Sequence, residues 1–415
     1  RFGFFPSVAG GWLVSNEKFW TGRLADVISL LKIKGSYGIV GNDQIGGNRR
    51  FIYLETINSG DKWSFGETVT SYPSYRRGEW ANDNVGWEKS RKLDVGVDVS
   101  FFDKLRVQVD WFKEKRSGIF LQRSSIPEYI GITTKPYVNI GRMRNSGWDS
   151  SLQYDQKIGQ VNFSAMGNFT FARNVIEDQD QPDYIEKYMN RTGQARWQTF
   201  GYVSDGLFKD EADIATSPDQ SALGEVRPGD IKYKDLNNDG VIDSKDVKAI
   251  GYTDVPEIVY GFGVSAQWKG FDVSVFFQGN AHVSFSINSS MVRGFTEPKM
   301  AANNVFSDIY GNYWTESNTD AKYPRLTTTE ATNNNQSSDF WLVNGRYIRL
   351  KNAEFGYTFP KRLIQKMRLS QLRVFVSGTN LLTFAPFKLW DPDLQTGASN
   401  YPNTRVANIG LNIGF

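Results

Sequence analysis

With 415 residues, and 48 Lys and Arg against 45 Asp and Glu, the chain has room for several soluble domains or one large β architecture, and its balanced charge does not point to nucleic acid. It contains no cysteine, which excludes disulfides and thiolate metal sites. It has no run of about 18 apolar residues, which excludes a helical membrane bundle. Its 39 glycines and 14% aromatic residues suit long strands with aromatic girdles, and alternating strands average to a polar hydropathy.

In chain order, Phe2–Val14 predicts a first strand broken by Pro6, and Ser15–Leu30 a longer connection with a short helix. Lys32–Val40 predicts a second strand, and Gly41–Ser90, rich in Gly, Asn, Asp and Trp, a long loop with local hairpins. The hairpin Lys92–Gln122 is the clearest unit. Leu93, Val95, Val97, Val99 and Phe101 alternate with Asp94, Gly96, Asp98 and Ser100, and after Asp103–Lys104 the residues Leu105, Val107, Val109 and Trp111 alternate with Arg106, Gln108 and Asp110. A period of two marks strands with one apolar face. Beyond the loop Ser124–Pro136, strands follow at Val138–Tyr154 and Val161–Phe171, joined by the turn Lys157–Gln160. Residues 177–257 form the longest polar excursion. Ile258–Trp268 and Phe271–Phe277 make a hairpin around Lys269–Gly270, and Ser290–Asn344 is another excursion. Tyr347–Phe359 is a strand whose apolar phase slips near Lys351, as at a bulge. Leu372–Phe384 and Thr404–Phe415 complete about eleven strands, with Trp390-Asp391-Pro392-Asp393 in the last loop.

Very short connections after Phe102, Tyr154 and Trp268 alternate with long ones, too long for ordinary loops of a compact domain. Short turns on one rim and long loops on the other are the asymmetry of an outer-membrane barrel. The predicted fold class is therefore all-β, a transmembrane antiparallel β-barrel, with Val95, Val97, Val107, Val109, Val273 and Val275 toward lipid. A soluble sandwich or propeller would have more even connections. The chain opens on Arg1-Phe2-Gly3-Phe4-Phe5 and reads as the C-terminal part of something longer.

RFGFFPSVAGGW (1–12), LKIKGSYGIVGND (31–43), GDIKYKDLNNDGVID (229–243), YIRLKNAEFGYTFP (347–360) and VFVSGTNLLTF (374–384) resemble, in order and over essentially the whole chain, the C-terminal half of SusC/RagA-like TonB-dependent transporters. These are outer-membrane nutrient importers of Bacteroidetes. The resemblance implies a 22-stranded barrel of which this chain supplies about the last eleven strands, and a plug domain and N-terminal strands outside this sequence. It also implies energy coupling to TonB through the plug, a SusD-like surface lipoprotein over the mouth, and an oligosaccharide or peptide substrate.

The sharpest local motif is Asp235-Leu-Asn237-Asn-Asp239-Gly-Val241-Ile-Asp243-Ser-Lys-Asp246. It follows the order of an EF-hand-type calcium loop: side chains of Asp235, Asn237 and Asp239, the Val241 carbonyl, Asp243 and Asp246, with Gly240 at the turn. A structural Ca²⁺ is the expected cofactor, and an acidic turn that binds nothing is the alternative. Position twelve carries Asp where the usual loop has Glu, and the flanks do not read as two helices. Trp63, Trp80, Trp197, Trp314, Trp341 and Trp390 fall in or beside the long loops, where packing loops together is a commoner role than stacking on substrate. His282, the one histidine, has no sequence neighbour for a triad or metal site. Lys113, Glu114, Lys115 and Arg116 read as a strand leaving the bilayer. No nucleophile elbow, phosphate loop or Cys/His cluster appears, so no enzyme is expected, and transport is what the resemblance implies. The competing functions are a passive outer-membrane porin or adhesin barrel and a soluble calcium-stabilised carbohydrate-binding β-protein.

Overall fold

The computed structural model describes residues 2–44, 51–67, 69–132, 134–295 and 304–415. Parts of the predicted loops at 45–50, 68, 133 and 296–303 lie outside the described residues. Eleven strands form one sheet: β1 Ser7–Leu13, β2 Ile28–Asn42, β3 Glu88–Phe101, β4 Leu105–Gln122, β5 Tyr137–Ile158, β6 Val161–Asp178, β7 Ile258–Trp268, β8 Phe271–Ala281, β9 Tyr347–Thr358, β10 Gln371–Phe384 and β11 Val406–Gly414. Spatial order equals chain order and every pairing is antiparallel. The sheet is an up-and-down meander, with β1 and β11 as its edges. The first strand starts at Ser7 and not Phe2, because Pro6 has no N–H for the ladder, although its carbonyl still accepts from Ile39 N at 2.9 Å.

Registers place the turns at Asp103–Lys104, Gly159–Gln160 and Lys269–Gly270 on one rim. Phe101 pairs with both Leu105 and Ile28, Ile158 with Val161, and Trp268 with Phe271. Lys269 and Gly270 both have positive φ, 48° and 91°, the mirror-image turn whose twist suits a tight hairpin. Connections 14–27 and 359–370, each with short helical turns, share that rim. Residues 43–87, 123–136, 179–257, 282–346 and 385–405 rise from the other. The register breaks between Leu350 and Asn352 against β10 and between Phe276 and Phe277 against β8, so Lys351 sits at the expected bulge.

The same registers align the apolar residues. Val95 lies opposite Trp111, Val97 opposite Val109, Val99 opposite Val107, and Val264 opposite Val275. Val95, Val264, Val273, Phe355 and Val376 are 43–54% exposed, an uncovered apolar face. The opposite face is polar and concave: Lys32, Asp98, Gln108, Gln153, Asn168 and Phe276, from six different strands, line one hollow. Among the described residues, only Phe120, Ile176 and Tyr347 of the buried apolar side chains lie on the sheet, all near its long-loop rim. The packed core is elsewhere.

Candidate functional site

Polar residues crowd the concave wall because alternation leaves them nowhere else to point. Several of its charges are paired: Lys34 lies 3.1 Å from Asp98 and 2.9 Å from Asp110, and the Arg373 guanidinium bridges Asp272 and Glu354. Gln108 donates to Asp110 at 2.8 Å, and Gln153 to Asp155 at 2.9 Å. The wall thus offers water or a polar solute a continuous hydrogen-bonding surface.

Above the long-loop rim, the excursions 179–257, 282–346 and 385–405 fold together into one body. Tyr202, Leu207, Ile231, Tyr233 and Ile242 from the first pack with Phe285, Ile287, Val292, Ile309, Tyr323 and Trp341 from the second and Phe387 from the third. A buried polar seam joins the first two. Ile231 N donates to Asn334 Oδ1 at 2.8 Å, Asn333 Nδ2 to the Ile231 carbonyl at 2.8 Å, and the Tyr233 hydroxyl to the Asn333 carbonyl at 2.9 Å. Fully buried Asp230 takes Arg325 Nε at 2.8 Å and Asn334 Nδ2 at 2.8 Å. These specific partners fix how the segments dock. Sequence reasoning missed this seam; its one signal is the Asn333-Asn334-Asn335 run.

The third excursion is tied to the wall by Arg349, 2% exposed on β9. Its guanidinium donates to Asp391, to Asp393 at 3.3 Å and to Thr383 Oγ1 at 3.0 Å. The Tyr347 hydroxyl donates to Asp393 at 2.7 Å. The Trp390-Asp391-Pro392-Asp393 stretch is therefore a latch, with Asp391 capping the short turn Pro392–Leu394.

Of the six tryptophans in or beside the long loops, Trp341 is buried and Trp314 and Trp390 pack half-buried against the same core, the loop-packing role expected. Trp63 and Trp197 are each 64% exposed, and Trp80 lies 4.1 Å beneath the Arg77 guanidinium. Among the described residues His282 finds no triad or metal set, but it does meet a carboxylate and an aromatic ring from elsewhere in the chain. Its Nδ1 is 3.2 Å from Glu257, which Arg173 holds with two 2.7 Å bonds, and its ring stacks on Tyr252 at 4.6 Å. The partners come from across the rim, invisible in local sequence. Lys113–Arg116 lie within β4, which runs on to Gln122, with Lys113 opposite Leu93 and Glu114 opposite Lys92.

In the 235–246 loop, Asp235 accepts from Asn238 N at 2.6 Å and Gly240 N at 2.7 Å, and Gly240 takes φ 84° as the turn requires. Asp239 accepts from Asn237 Nδ2, Val241 N and Lys245 Nζ at 2.9, 3.1 and 3.1 Å. Asp243 lies 3.3 Å from the same ammonium. Asp246, fully buried, accepts from Leu236 N at 2.7 Å and Asp243 N at 2.9 Å. Hydrogen bonds from Asn237 and Lys245 hold the Asp239 carboxyl below its ordinary 3.8. The turn has a calcium loop's backbone form, yet its carboxylates are turned onto backbone N–H groups and Lys245. Among the described residues, no group of three or more His, Cys, Asp or Glu converges to hold a metal.

The family model for the TonB dependent receptor-like β-barrel matches residues 53–381, and the chain belongs to that family. It is 29% identical over 448 residues to TonB-dependent receptor P3 of Formosa agariphila, covering 100% of this chain and 42% of that protein. Against TonB-dependent receptor SusC of Bacteroides thetaiotaomicron it is 25% identical over 429 residues, covering 100% and 40%. The structure of the RagAB peptide importer matches with a TM-score of 0.73 at 21% identity, over 99% of this chain and 42% of that one, an agreement in fold. The chain thus spans about two fifths of the length of the relatives it matches. The resemblance to SusC/RagA-like transporters drawn from the motifs holds across the chain.

Proposed function

We propose that this chain is the C-terminal half of a 22-stranded barrel that imports nutrient oligomers, glycan or peptide, across the bacterial outer membrane. TonB supplies the energy through a plug encoded outside these residues, and a SusD-like lipoprotein closes the outer mouth on the loop body. The observation that carries this reading is the sheet itself, with eleven antiparallel strands, an apolar face outward, a polar face inward, and all long connections on one rim. Both edges, β1 and β11, present unpaired backbone, which hydrocarbon does not tolerate, so the remaining strands close on them. A folded loop body at the mouth suits a lid better than bare loops would. The test is growth on an oligomeric nutrient by cells carrying the full-length protein, with and without functional TonB. Uptake should require TonB, and a lipoprotein should co-purify in mild detergent. TonB-independent uptake by a barrel that purifies alone would support a passive porin instead.

We further propose that residues 235–246 take one Ca²⁺. The donor order, the Asp235–Gly240 turn and the φ of Gly240 support this. Binding would displace Lys245 from Asp239 and Asp243, swapping one monovalent cation for a divalent one among the same carboxylates.

A further inference from the structure

Beneath the latch, between the concave ends of β9 and β10 and the excursion 385–405, is a hollow lined by Arg349, Asn380, Lys388, Trp390, Asp391 and Arg405, among others. Its charges are unequal. The carboxylates here are spent: Asp391 on Arg349, and Asp393 on Arg349, on the Tyr347 hydroxyl at 2.7 Å and on Asn403 Nδ2 at 3.0 Å. Arg349 is spent in return, with the Thr383 hydroxyl completing its set. Lys388 and Arg405, both exposed, reach the hollow from opposite ends of the loop. With Asp393 included, three cations face two carboxylates, and the surplus charge falls on the two side chains that the latch leaves untouched.

A second feature points the same way. Asn380 stands at the β10 bulge with φ 53°, and its Nδ2 donates to the Thr404 carbonyl at 3.0 Å. That bond fixes the amide and leaves Oδ1, a buried acceptor without a partner in the structure, beside the hollow. A buried acceptor without a donor is costly unless something fills it. Two free cations and one waiting acceptor, with Trp390 as an apolar wall, match a carboxylate whose neighbouring atom carries a hydroxyl or an amide N–H.

We propose that this hollow is a carboxylate-binding subsite on the substrate path, in which Lys388 and Arg405 hold the anion and Asn380 Oδ1 accepts from the adjacent donor. The inference rests on the import reading. The same chemistry occurs in a uronic-acid residue of a glycan and in an acidic or C-terminal residue of a peptide.

The experiment is calorimetric titration of the purified full-length protein in detergent, which needs neither TonB nor uptake. The probes are trigalacturonate and its methyl ester, and triglutamate and C-terminally amidated triglutamine. At least one acid probe should bind more tightly than its neutral counterpart. The double variant Lys388→Ala/Arg405→Ala should weaken that binding by about tenfold or more, while Lys388→Arg/Arg405→Lys largely restores it. Preference for the sugar acid, the peptide acid or both identifies the source. If acid and neutral probes bind alike, or if the alanine variant binds like the parent with its loop body intact to protease, the subsite is overturned. TonB-dependent uptake of a neutral oligomer would then still stand, so this failure is distinguishable from failure of the import reading.

Discussion

Ile409 on β11 is 83% exposed, whereas Ile231 in the loop body is fully buried. The two isoleucines sit in regions that satisfy the hydrophobic effect in opposite ways. The loop body removes its apolar side chains from water by packing three excursions together, as any soluble domain does. The sheet leaves its valines on an open face and turns charges such as Lys34, Asp98, Asp110 and Arg373 to the concave one, where these pair. On the import reading lipid covers that face, at no cost. One polypeptide therefore carries two solvents' worth of rules, and substitutions should sort by region.

The largest effects are expected where a buried pair is broken. Asp230→Ala leaves Arg325 unpaired and removes the acceptor of Asn334, and should destabilise the loop body by about 3–5 kcal/mol. Hydrogen exchange should rise across 179–257 and 282–346 while β3–β6 keep their protection. Equal loss of protection in the sheet would break the division. The mirror experiment is Val264→Arg on the apolar face, near the middle of β7, costing about 2–4 kcal/mol. It should lower barrel folding yield in lipid vesicles and leave the loop body's protease resistance unchanged.

Smaller effects sharpen the boundary. The Lys232 ammonium, 2.8 Å from Asp213, holds that carboxyl below its ordinary 3.8, with burial partly opposing. A depressed folded-state pKa means the pair's contribution is in full above the unfolded value and is lost as pH falls through the lower folded value. Protease sensitivity of 205–254 should therefore rise below about pH 4, and Asp213→Asn should flatten that part of the profile. Asp239→Ala should make the same segment indifferent to chelator, whereas the parent should be cut faster in chelator than in calcium. Equal cutting of the parent in both would reduce the motif to an acidic turn. Smallest of all, Trp63→Ala, at a position 64% exposed, should change stability by no more than about 0.5 kcal/mol in thermal unfolding of the whole protein.

The sheet was legible because alternation is a local signal. All eleven strands were predicted, Ile258–Trp268 to the residue, and the phase slip at Lys351 marked a real bulge. Strand lengths were underestimated where the pattern turns polar: β6 continues from Phe171 to Asp178 and β5 to Ile158, because ladder pairing goes on after the apolar face has ended. The loop body was not legible. Ile231 meets Asn334 across 103 residues, and Arg349 meets Asp391 across 42, and no periodicity encodes such pairs. One of the readings there was of the right kind: Trp341 packs the loops together. The contact between His282 and Glu257, across 25 residues, is of the same kind.

The central claim is that one face of the sheet meets lipid and the other does not. These 415 residues contain no cysteine, so single cysteines can be introduced cleanly at Val95, Val273 and Val376 on one face and at Gln108, Ser151 and Ser274 on the other. Each is labelled with an environment-sensitive fluorophore in the full-length protein, its other cysteines removed, and reconstituted into vesicles containing brominated lipid. The account predicts strong quenching at the first three positions and little at the second three. Equal quenching on both faces, or quenching confined to the charged face, would contradict it.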